Sequence, residues 1–354
     1  MGFKKHLPIL GLAVTLVAVQ LITAASGSAY YLTQLTMVSY LGLVIIGLCL
    51  VMGYAGQISL GHAGFFGIGG YISAALTTVN LHTQLANQNN VATFLDGFGA
   101  LVHSKNMYGE AILYVHPWLA CLVALLVTTV IAFAIGIPVL KLKGHYLAMA
   151  TLGFGIIIYR IVLAMEIFGE ADGISDVPPF PLFAGFAITG DLDLRVSNYY
   201  ISATVLIVGM LLLQNLIRSR VGRALSAIHG AEDAASAMGV DTAKYKLYTF
   251  VVSALFASLA GVLLTHYTGG ISPSDAGVMK SVRFVAIVAI GGMASLWGAL
   301  SIGLILNFMS LRGLFGSYDD AVFGTILILI MLFAPDGILK LPFLQKLLRR
   351  GGQD

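Results

Sequence analysis

The chain has 354 residues, of which 58% are hydrophobic and only 10% are charged, and its mean hydropathy is +0.92. These values exclude an ordinary soluble protein and indicate a membrane protein with little length left for a soluble domain. The 19 basic and 16 acidic residues give a net charge of +3, and we expect no nucleic-acid partner. The two cysteines, Cys49 and Cys121, lie inside apolar runs and indicate neither a disulfide framework nor a cysteine metal site.

Apolar stretches recur along the chain at the length, roughly 20 residues, that an α-helix needs to cross a bilayer. The first, residues 7–25, follows Lys4 and Lys5 and ends in small residues, which is also the outline of a signal peptide; we favour an uncleaved first span. The same pattern predicts further spans at residues 31–52, 54–79, 118–140, 145–168, 196–217 and 247–268.

The last third of the chain is harder to divide. Residues 281–311 are too long for one straight helix, and Gly291-Gly292 in their middle predicts a break between two short spans, before a final span at residues 321–334. Both termini then lie on the side that carries most basic residues, which the positive-inside rule makes cytoplasmic. These basic residues are Lys4, Lys5, Lys141, Lys143, Arg218, Arg220, Arg223, Lys244, Lys246, Lys340, Lys346, Arg349 and Arg350. The opposite, outer face is predicted to carry Asp96, Glu110, Glu170, Asp172, Asp176, Asp191, Asp193, Asp275, Asp319 and Asp320.

We therefore predict an all-α fold, a polytopic membrane protein of about ten transmembrane helices with cytoplasmic N and C termini. The whole chain, residues 1–354, forms a single transmembrane domain. Polar outer loops are predicted at residues 81–117 and 169–195, and the first leaves room for a short interfacial helix. The longest charged stretch, residues 218–246, is predicted to be a cytoplasmic loop with structure of its own.

Few charged residues fall inside the predicted spans, where each costs at least about 2.5 kcal/mol on insertion scales. Arg160 and Glu166 lie in the fifth span and Arg283 at the outer start of the eighth; for each, snorkelling or bonding to carbonyls is the simpler interpretation. No carboxylate relay of a proton-driven pump is visible, and no paired carboxylates or metal-ligand cluster indicate an enzyme. No G-x-x-x-x-G-K-[ST] phosphate loop occurs, so we expect this chain to bind neither ATP by that route nor another cofactor.

A glycine-rich segment, residues 53–71, contains three polar residues, Gln57, Ser59 and His62. Small residues let helices approach closely in a bilayer, and broken helices with polar groups form mid-membrane transport paths. Close packing alone and a transport path are both compatible with this pattern. If the segment is a path, its candidate residues are Gln57, Ser59 and His62, together with Arg160.

The charged loop contains a second distinctive segment, residues 222–240. Residues 233–238 fit a short helix with acidic residues at its start and Gly239 as its stop, and Asp241 can cap the next span. Such a helix, with Met238 at its end, fits a groove on a partner protein, although the pattern also fits a solvated linker.

At this loop the sequence resembles the membrane subunits of bacterial ABC importers, whose signature is E-A-A-x-x-x-G. Asp233-Ala234-Ala235 and Gly239 keep that spacing with Asp in place of Glu, but the usual later I-x-L-P is absent. Most of the chain is similar to the branched-chain amino acid permeases, specifically the LivM-type member of the LivH/LivM pair. The matching segments are residues 53–71, 143–155, 172–174, 222–240 and 334–338.

The resemblance implies transport of leucine, isoleucine and valine, with urea, short amides or aromatic acids as alternatives. Two departures from the family pattern leave the substrate open: Ile156 stands where relatives often carry Glu, and the 81–117 loop is long. An ion-coupled secondary transporter is the alternative from a different class, and the scarcity of intramembrane carboxylates disfavours it.

The resemblance also implies partners. They are a second, LivH-like permease subunit, two cytoplasmic ATPase subunits that use ATP and Mg²⁺, and an external substrate-binding protein, assembled in the inner membrane of a bacterium and surrounded by lipid. The chain itself is then not an enzyme. The residues implied to couple it to the ATPases are Glu232, Asp233, Ala234, Ala235, Met238 and Gly239.

Overall fold

The computed structural model describes residues 7–80, 101–105, 111–142, 144–182 and 185–333. In chain order the helices are α1 (Leu7–Ala25), α2 (Tyr30–Cys49, continued by a π-helical turn at Leu50–Tyr54), α3 (His62–Thr78), α4 (Pro117–Val139), α5 (His145–Ala164), α6 (Arg195–Arg218), α7 (Arg220–Gly230), α8 (Glu232–Ala237), α9 (Thr242–Thr268), α10 (Val278–Gly291), α11 (Leu296–Leu311) and α12 (Asp319–Phe333). Within these residues five helices, α2, α4, α5, α6 and α9, are long and apolar enough to cross a membrane. The chain is therefore a mostly helical, multi-pass membrane protein.

The helix bounds follow the apolar pattern of the sequence closely, with one exception. The predicted break in residues 281–311 is confirmed, because α10 ends at Gly291 and α11 begins at Leu296. Gly292 between them has a φ of 93°, a conformation that glycine adopts without strain. The exception is the third predicted span, 54–79, in which the α-helix begins only at His62.

The centre of the bundle is formed by α2, α3 and α9. In the most apolar 18-residue stretch of α2, 89% is buried inside the protein, whereas the same share is only 28% in the peripheral helix α5. A Cβ atom on Gly69 of α3 would overlap the carbonyl oxygen of Ser258 of α9, and a Cβ on Gly261 would overlap that of Phe66. Lipid provides no hydrophobic drive between helices, so this close backbone approach is what stabilises the pair.

In the part of the chain that the structure describes, three short antiparallel strand pairs lie in the connecting segments. They join β1 (Leu101–Lys105) with β2 (Ala111–Val115), β3 (Ile174–Ser175) with β6 (Gly270–Ile271), and β4 (Phe180–Pro181) with β5 (Ala187–Ile188). The all-α prediction is therefore right for the spans and wrong for these loops, where strand pairing satisfies backbone groups that no helix uses. In the described part of the 81–117 loop, β1 pairs with β2; residues 81–100 and 106–110 lie outside the described residues, so the interfacial helix stays a prediction.

The connecting segments gather at the two ends of the bundle. At the strand end, β3 pairs with β6, and the Trp118 indole N–H donates to the carbonyl of Pro181 at 2.8 Å. At the short-helix end lie α7 and α8, and the Cys49 thiol donates to the carbonyl of Met293 at 3.1 Å. These contacts show that loops distant in sequence share an end.

The described residues of the two predicted charged faces lie at opposite ends, although each end also carries charges of the other sign, such as Arg283 at the strand end and Glu232 at the short-helix end. The short-helix end carries the basic residues Lys141, Arg218, Arg220, Arg223, Lys244 and Lys246. The strand end carries the acidic residues Glu166, Glu170, Asp172, Asp176, Asp191, Asp193, Asp275, Asp319 and Asp320. The remaining residues of the two predicted charged faces lie outside the described residues: Lys4, Lys5, Asp96, Glu110, Lys143 and the basic residues of the C-terminal segment 334–354.

Candidate functional site

The stretch between α2 and α3 is an irregular piece of backbone within the helix bundle. The π-helical turn ends α2, and Gly56 then has a φ of 66°, where glycine is favoured over other residues. After this turn the side chains alternate, so that Gln57 and Ser59 are buried while Ile58 is exposed. The third predicted span is therefore interrupted before His62, and transport proteins use broken helices of this kind to form their paths.

Gln57 is buried, with 2% of its surface exposed. Its backbone N–H donates to the carbonyl of Val51 at 3.0 Å, but among the described residues neither atom of its side-chain amide has a hydrogen-bond partner. A buried polar group left unbonded costs about 1–3 kcal/mol. Such a group calls for an explanation, and this amide is free to bind water or a passing solute.

His62, at the start of α3, differs from Gln57 because both of its ring nitrogens are bonded. Nδ1 lies 3.1 Å from Ser59 Oγ, and Nε2 lies 2.7 Å from Ser253 Oγ of α9. The ring also meets Phe65 and Phe250 edge to face. These contacts are those of a packing residue that joins α3 to α9.

Arg160 does not join the other three candidate path residues. It is exposed on α5, nine residues beyond Thr151, whose Oγ1 accepts a hydrogen bond from the Leu60 backbone N–H. At 1.5 Å per helical residue, Arg160 lies about 13 Å further along α5 than this contact.

A second buried histidine was not identified as a candidate from the sequence. His266 of α9 lies 2.8 Å from Ser73 Oγ of α3 through Nε2, and 2.7 Å from the carbonyl of Pro178 through Nδ1. It therefore ties α3 and α9 to the loop that follows α5. Its position in a predicted span was the one available signal, and a lone histidine there usually reports packing.

A polar cavity of about 300 Å³ opens at the strand end between α2, α10, α11 and the start of α12. Its lining residues are Leu41, Ser274, Asp275, Met279, Lys280, Arg283, Phe284, Asn307 and Asp320. It combines charges of both signs with an apolar wall, a composition typical of sites for small polar ligands.

The charged residues of this cavity form ion pairs. Lys280 lies 2.6 Å from Asp275, and Arg283 lies 2.6 Å from Asp319 and 3.2 Å from Asp320. The expectation that Arg283 snorkels or bonds to carbonyls is therefore wrong. Asp275, Asp319 and Asp320 lie at the strand end with the other predicted outer carboxylates, but the two cations of α10 are paired with them there and offset part of their negative charge.

The environment of Asp275 keeps its carboxylate charged. Burial alone would raise the pKa of this group, but the neighbouring Lys280 ammonium and the hydrogen bonds from Lys280 and Ser272 outweigh it and lower the pKa below its usual value. The carboxylate of Asp275 is therefore stabilised in its charged form.

The short-helix end carries a second candidate site, formed by α7, α8 and the turn after them. Gly222, Leu225 and Ile228 are the buried face of α7, which packs on the bundle. Ala235 is the buried residue of α8, whereas Met238 directly after it is 85% exposed. Met238 is thus an almost fully exposed apolar side chain directly after an ordered helix.

Two polar contacts hold residues 220–240 in place; we name these residues the coupling surface, after the role that the sequence predicts for them. Glu232 at the start of α8 pairs with Lys246 of α9 at 2.5 Å. Asp241 caps α9 by accepting from the Lys244 backbone N–H at 3.2 Å, and the side-chain hydrogen bond of Lys244 lowers the pKa of Asp241. Gly239 has a φ of 85° and ends the helix as predicted. The helix itself begins at Glu232, one residue before the predicted start.

The coupling surface touches the broken span directly. A Cβ atom on Gly56 would lie 2.8 Å from Nδ1 of His229, the residue near the end of α7. A Cβ on Gly53 would overlap the carbonyl of Met293 in the turn between α10 and α11. The segment that carries Gln57 is thus wedged between α7 and this turn, so displacement of α7 would move it.

The described residues contain no group of three or more His, Cys, Asp or Glu side chains that could hold a metal ion.

Comparison with known proteins identifies the family of the chain. The family model for "Branched-chain amino acid transport system / permease component" matches residues 30–331. The high-affinity branched-chain amino acid permease protein LivM of Salmonella typhimurium is 30% identical over 326 residues, which cover 86% of this chain and 69% of LivM. LivH of the same organism is 30% identical over 333 residues, covering 90% and 98%. BraD of Pseudomonas aeruginosa is 26% identical over 329 residues. No solved structure shows a significant match.

Proposed function

The chain belongs to the family of branched-chain amino acid transport permeases, and we propose that it is the LivM-like permease subunit of an ATP-driven importer of leucine, isoleucine and valine. The observation that carries this proposal is the coupling surface, in which the exposed Met238 stands on a helix pair that touches the broken span. A secondary transporter driven by an ion gradient would not need a surface for binding ATPase subunits.

The proposed topology has about ten membrane-crossing helices, which are α1 to α6 and α9 to α12. The short helices α7 and α8 do not cross the membrane. Both termini and the short-helix end lie in the cytoplasm, and the strand end faces outward, in a bacterial inner membrane. The basic residues of the short-helix end support this orientation through the positive-inside rule. The helices α10, α11 and α12 are short, with 14, 16 and 15 residues, which fits spans that are partly enclosed by protein.

The proposed partners divide the work. A second, LivH-like permease completes the path, two ATPase subunits bind the cytoplasmic end, and an external binding protein delivers the substrate to the strand end. The acidic docking face for the binding protein is formed by five carboxylates of the loop between α5 and α6: Glu170, Asp172, Asp176, Asp191 and Asp193. The other described carboxylates at the strand end are paired with cations or lie apart from this loop. ATP and Mg²⁺ are used by the ATPases and not by this chain.

The proposed mechanism follows the contacts from the coupling surface inward. Closure of the ATPase pair pushes Met238 and α8, and α7 transmits the movement through His229 to Gly56. The turn at Met293 contacts the other side of the same segment, so α7 shifts relative to the turn between α10 and α11. This motion exposes Gln57 alternately to the two sides, as alternating access requires.

The test is reconstitution with the LivH-like permease, the ATPases and the binding protein of its host. We expect leucine uptake into proteoliposomes that requires ATP, and no uptake of urea or aromatic acids. In Met238→Asp we expect the ATPases to be lost on co-purification and uptake to fall to background, because a charge replaces the apolar plug. Met165→Asp, an exposed methionine at the strand end, is the matched control.

Two results would overturn the proposal. Retention of both ATPases by Met238→Asp would remove the coupling role. Uptake driven by a proton or sodium gradient without any ATPase would assign the chain to the secondary transporters instead.

A further inference from the structure

The cavity at the strand end contains charges that the importer function described so far does not use. Lys280 and Arg283 lie in the first two turns of α10, and Asn307 lies in the last two turns of α11, so all three polar groups are near the strand end of these helices. Ionisable groups on membrane helices that face the interior of a bundle commonly line the pathway of a transported solute. These charged residues therefore indicate that the cavity binds a ligand.

The charge pattern specifies the ligand. Lys280 and Arg283 are three residues apart and lie on one face of α10. Three described carboxylates, Asp275, Asp319 and Asp320, face these two cations. A ligand with one positive and one negative group can exchange partners with such a set, whereas a neutral solute would leave it unused.

The two signs are held with different strengths. Asp320 is the weakly held carboxylate, with 61% of its side chain exposed and one contact at 3.2 Å. Lys280 has three donors, of which Asp275 accepts one at 2.6 Å, and its Nζ lies 4.1 Å from the centre of the Phe66 ring of α3. Asp320 is therefore open to an ammonium group, and Lys280 is open to a carboxylate.

The remaining wall suits an aliphatic side chain. Leu41, Met279 and Phe284 contribute apolar surface, and Asn307 is buried with its amide N–H donating to the Gly303 carbonyl at 2.8 Å. A further unsatisfied group lies beside the cavity, since within the described chain Asp319 Oδ1 is buried without a hydrogen-bond partner. Its Oδ2 atom accepts from Arg283 and Ser310.

We propose that this cavity is an entry site for a zwitterionic amino acid with an aliphatic side chain, whose ammonium group binds Asp320 and whose carboxylate binds Lys280. The proposal rests on the importer function, and it deepens that function by assigning substrate contacts to the permease itself. The contact of Lys280 with Phe66 joins the site to α3, the helix that continues from the broken span.

The test is equilibrium binding of leucine to the assembled importer without its binding protein, measured by titration calorimetry. Two analogues separate the charges: 3-methylbutylamine has the ammonium alone, and 4-methylpentanoate the carboxylate alone. We expect saturable binding of leucine and at least about tenfold weaker binding of each analogue, because one hydrogen bond to a charged group contributes that factor or more.

Variants locate the site. In Asp320→Asn and Lys280→Gln we expect leucine affinity to fall about tenfold or more. Glu166→Gln and Arg312→Gln are matched controls, since both residues are at the strand end and neither lines the cavity. Asp320 is largely exposed, so Asp320→Asn decides the outcome if Lys280→Gln fails to assemble. ATPase activity of each complex reports assembly.

The outcomes are distinct. Absence of saturable leucine binding, equal binding of either analogue, unchanged affinity in Asp320→Asn, or equal losses in the controls would each overturn the entry site. ATP-dependent leucine uptake by the same wild-type complex is measured in parallel. If uptake is present, such a result refutes the entry site alone; if uptake is absent, the proposed function fails.

Discussion

The bundle contains two kinds of buried polar region, and they differ in whether their hydrogen bonds are complete. In the α3–α9 interior, His62 and His266 use both ring nitrogens, and glycines bring the backbones into contact. At Gln57 and in the strand-end cavity, polar groups are buried without full partners or are open to a ligand. A closed network stabilises one arrangement of helices, whereas an incomplete one is ready to bind and release. The comparison separates buried polar residues whose hydrogen bonds are complete from those whose hydrogen bonds are not.

The largest effect should come from breaking the closed region. In Gly261→Ala the new Cβ would overlap the Phe66 carbonyl, so α3 and α9 must separate, and we expect a loss of about 3 kcal/mol or more. Gly153→Ala is the matched control, because nothing lies within 4 Å of that Cβ position on α5. Thermal unfolding in detergent measures both. Equal unfolding temperatures would show that α3–α9 contact is not what stabilises the bundle.

A pair of leucine substitutions sharpens the comparison. His62→Leu removes two hydrogen bonds and should lower stability by about 1–3 kcal/mol. Gln57→Leu removes an amide without partners in the described structure, so stability should hold or rise. Uptake by Gln57→Leu should nevertheless fall about tenfold, the factor that one hydrogen bond of about 1.4 kcal/mol represents. Normal uptake by Gln57→Leu would assign the residue to packing.

The smallest effect concerns pH at the cap of α9, which lies outside both buried regions. Because the folded pKa of Asp241 is lowered, its stabilising contribution is present above the unfolded pKa and is lost as the pH falls through the folded value. Asp241→Asn keeps a capping oxygen without the charge. The small difference in unfolding temperature between wild type and this variant should therefore be constant near neutral pH and disappear in acid. A difference that persists in acid would show that the charge plays no part.

The membrane-spanning helices show how much of the fold the pattern of apolar residues predicts. Helix α4 was predicted at residues 118–140 and runs from Pro117 to Val139, and the glycine break between α10 and α11 lies where expected. Both follow from local properties, since a bilayer requires long apolar helices and Gly291-Gly292 interrupts one. The amphipathic helix α7 and the strand pairs were missed, because their formation depends on the surfaces they pack against.

The candidate sites divide in the same way. Gly239 and Asp241 were assigned correctly as the stop of one helix and the cap of the next, because such roles are local. Which polar residues share a site was not predictable. Arg160 is remote from Gln57, and Lys280 was not singled out at all, because pairing depends on distances between helices that are far apart in sequence.

The sequence by itself determined that this chain is a membrane protein, because apolar length and charge asymmetry are properties of single segments, and its similarity to known permeases assigns it to the branched-chain amino acid transport family. Only the tertiary structure decided the roles of its polar residues. His62 finds its second partner 191 positions away on Ser253, Arg283 finds Asp319 36 positions away, and the Gln57 amide finds no described partner. Whether a buried polar group is satisfied depends on which helices meet, and that is a property of the assembled bundle.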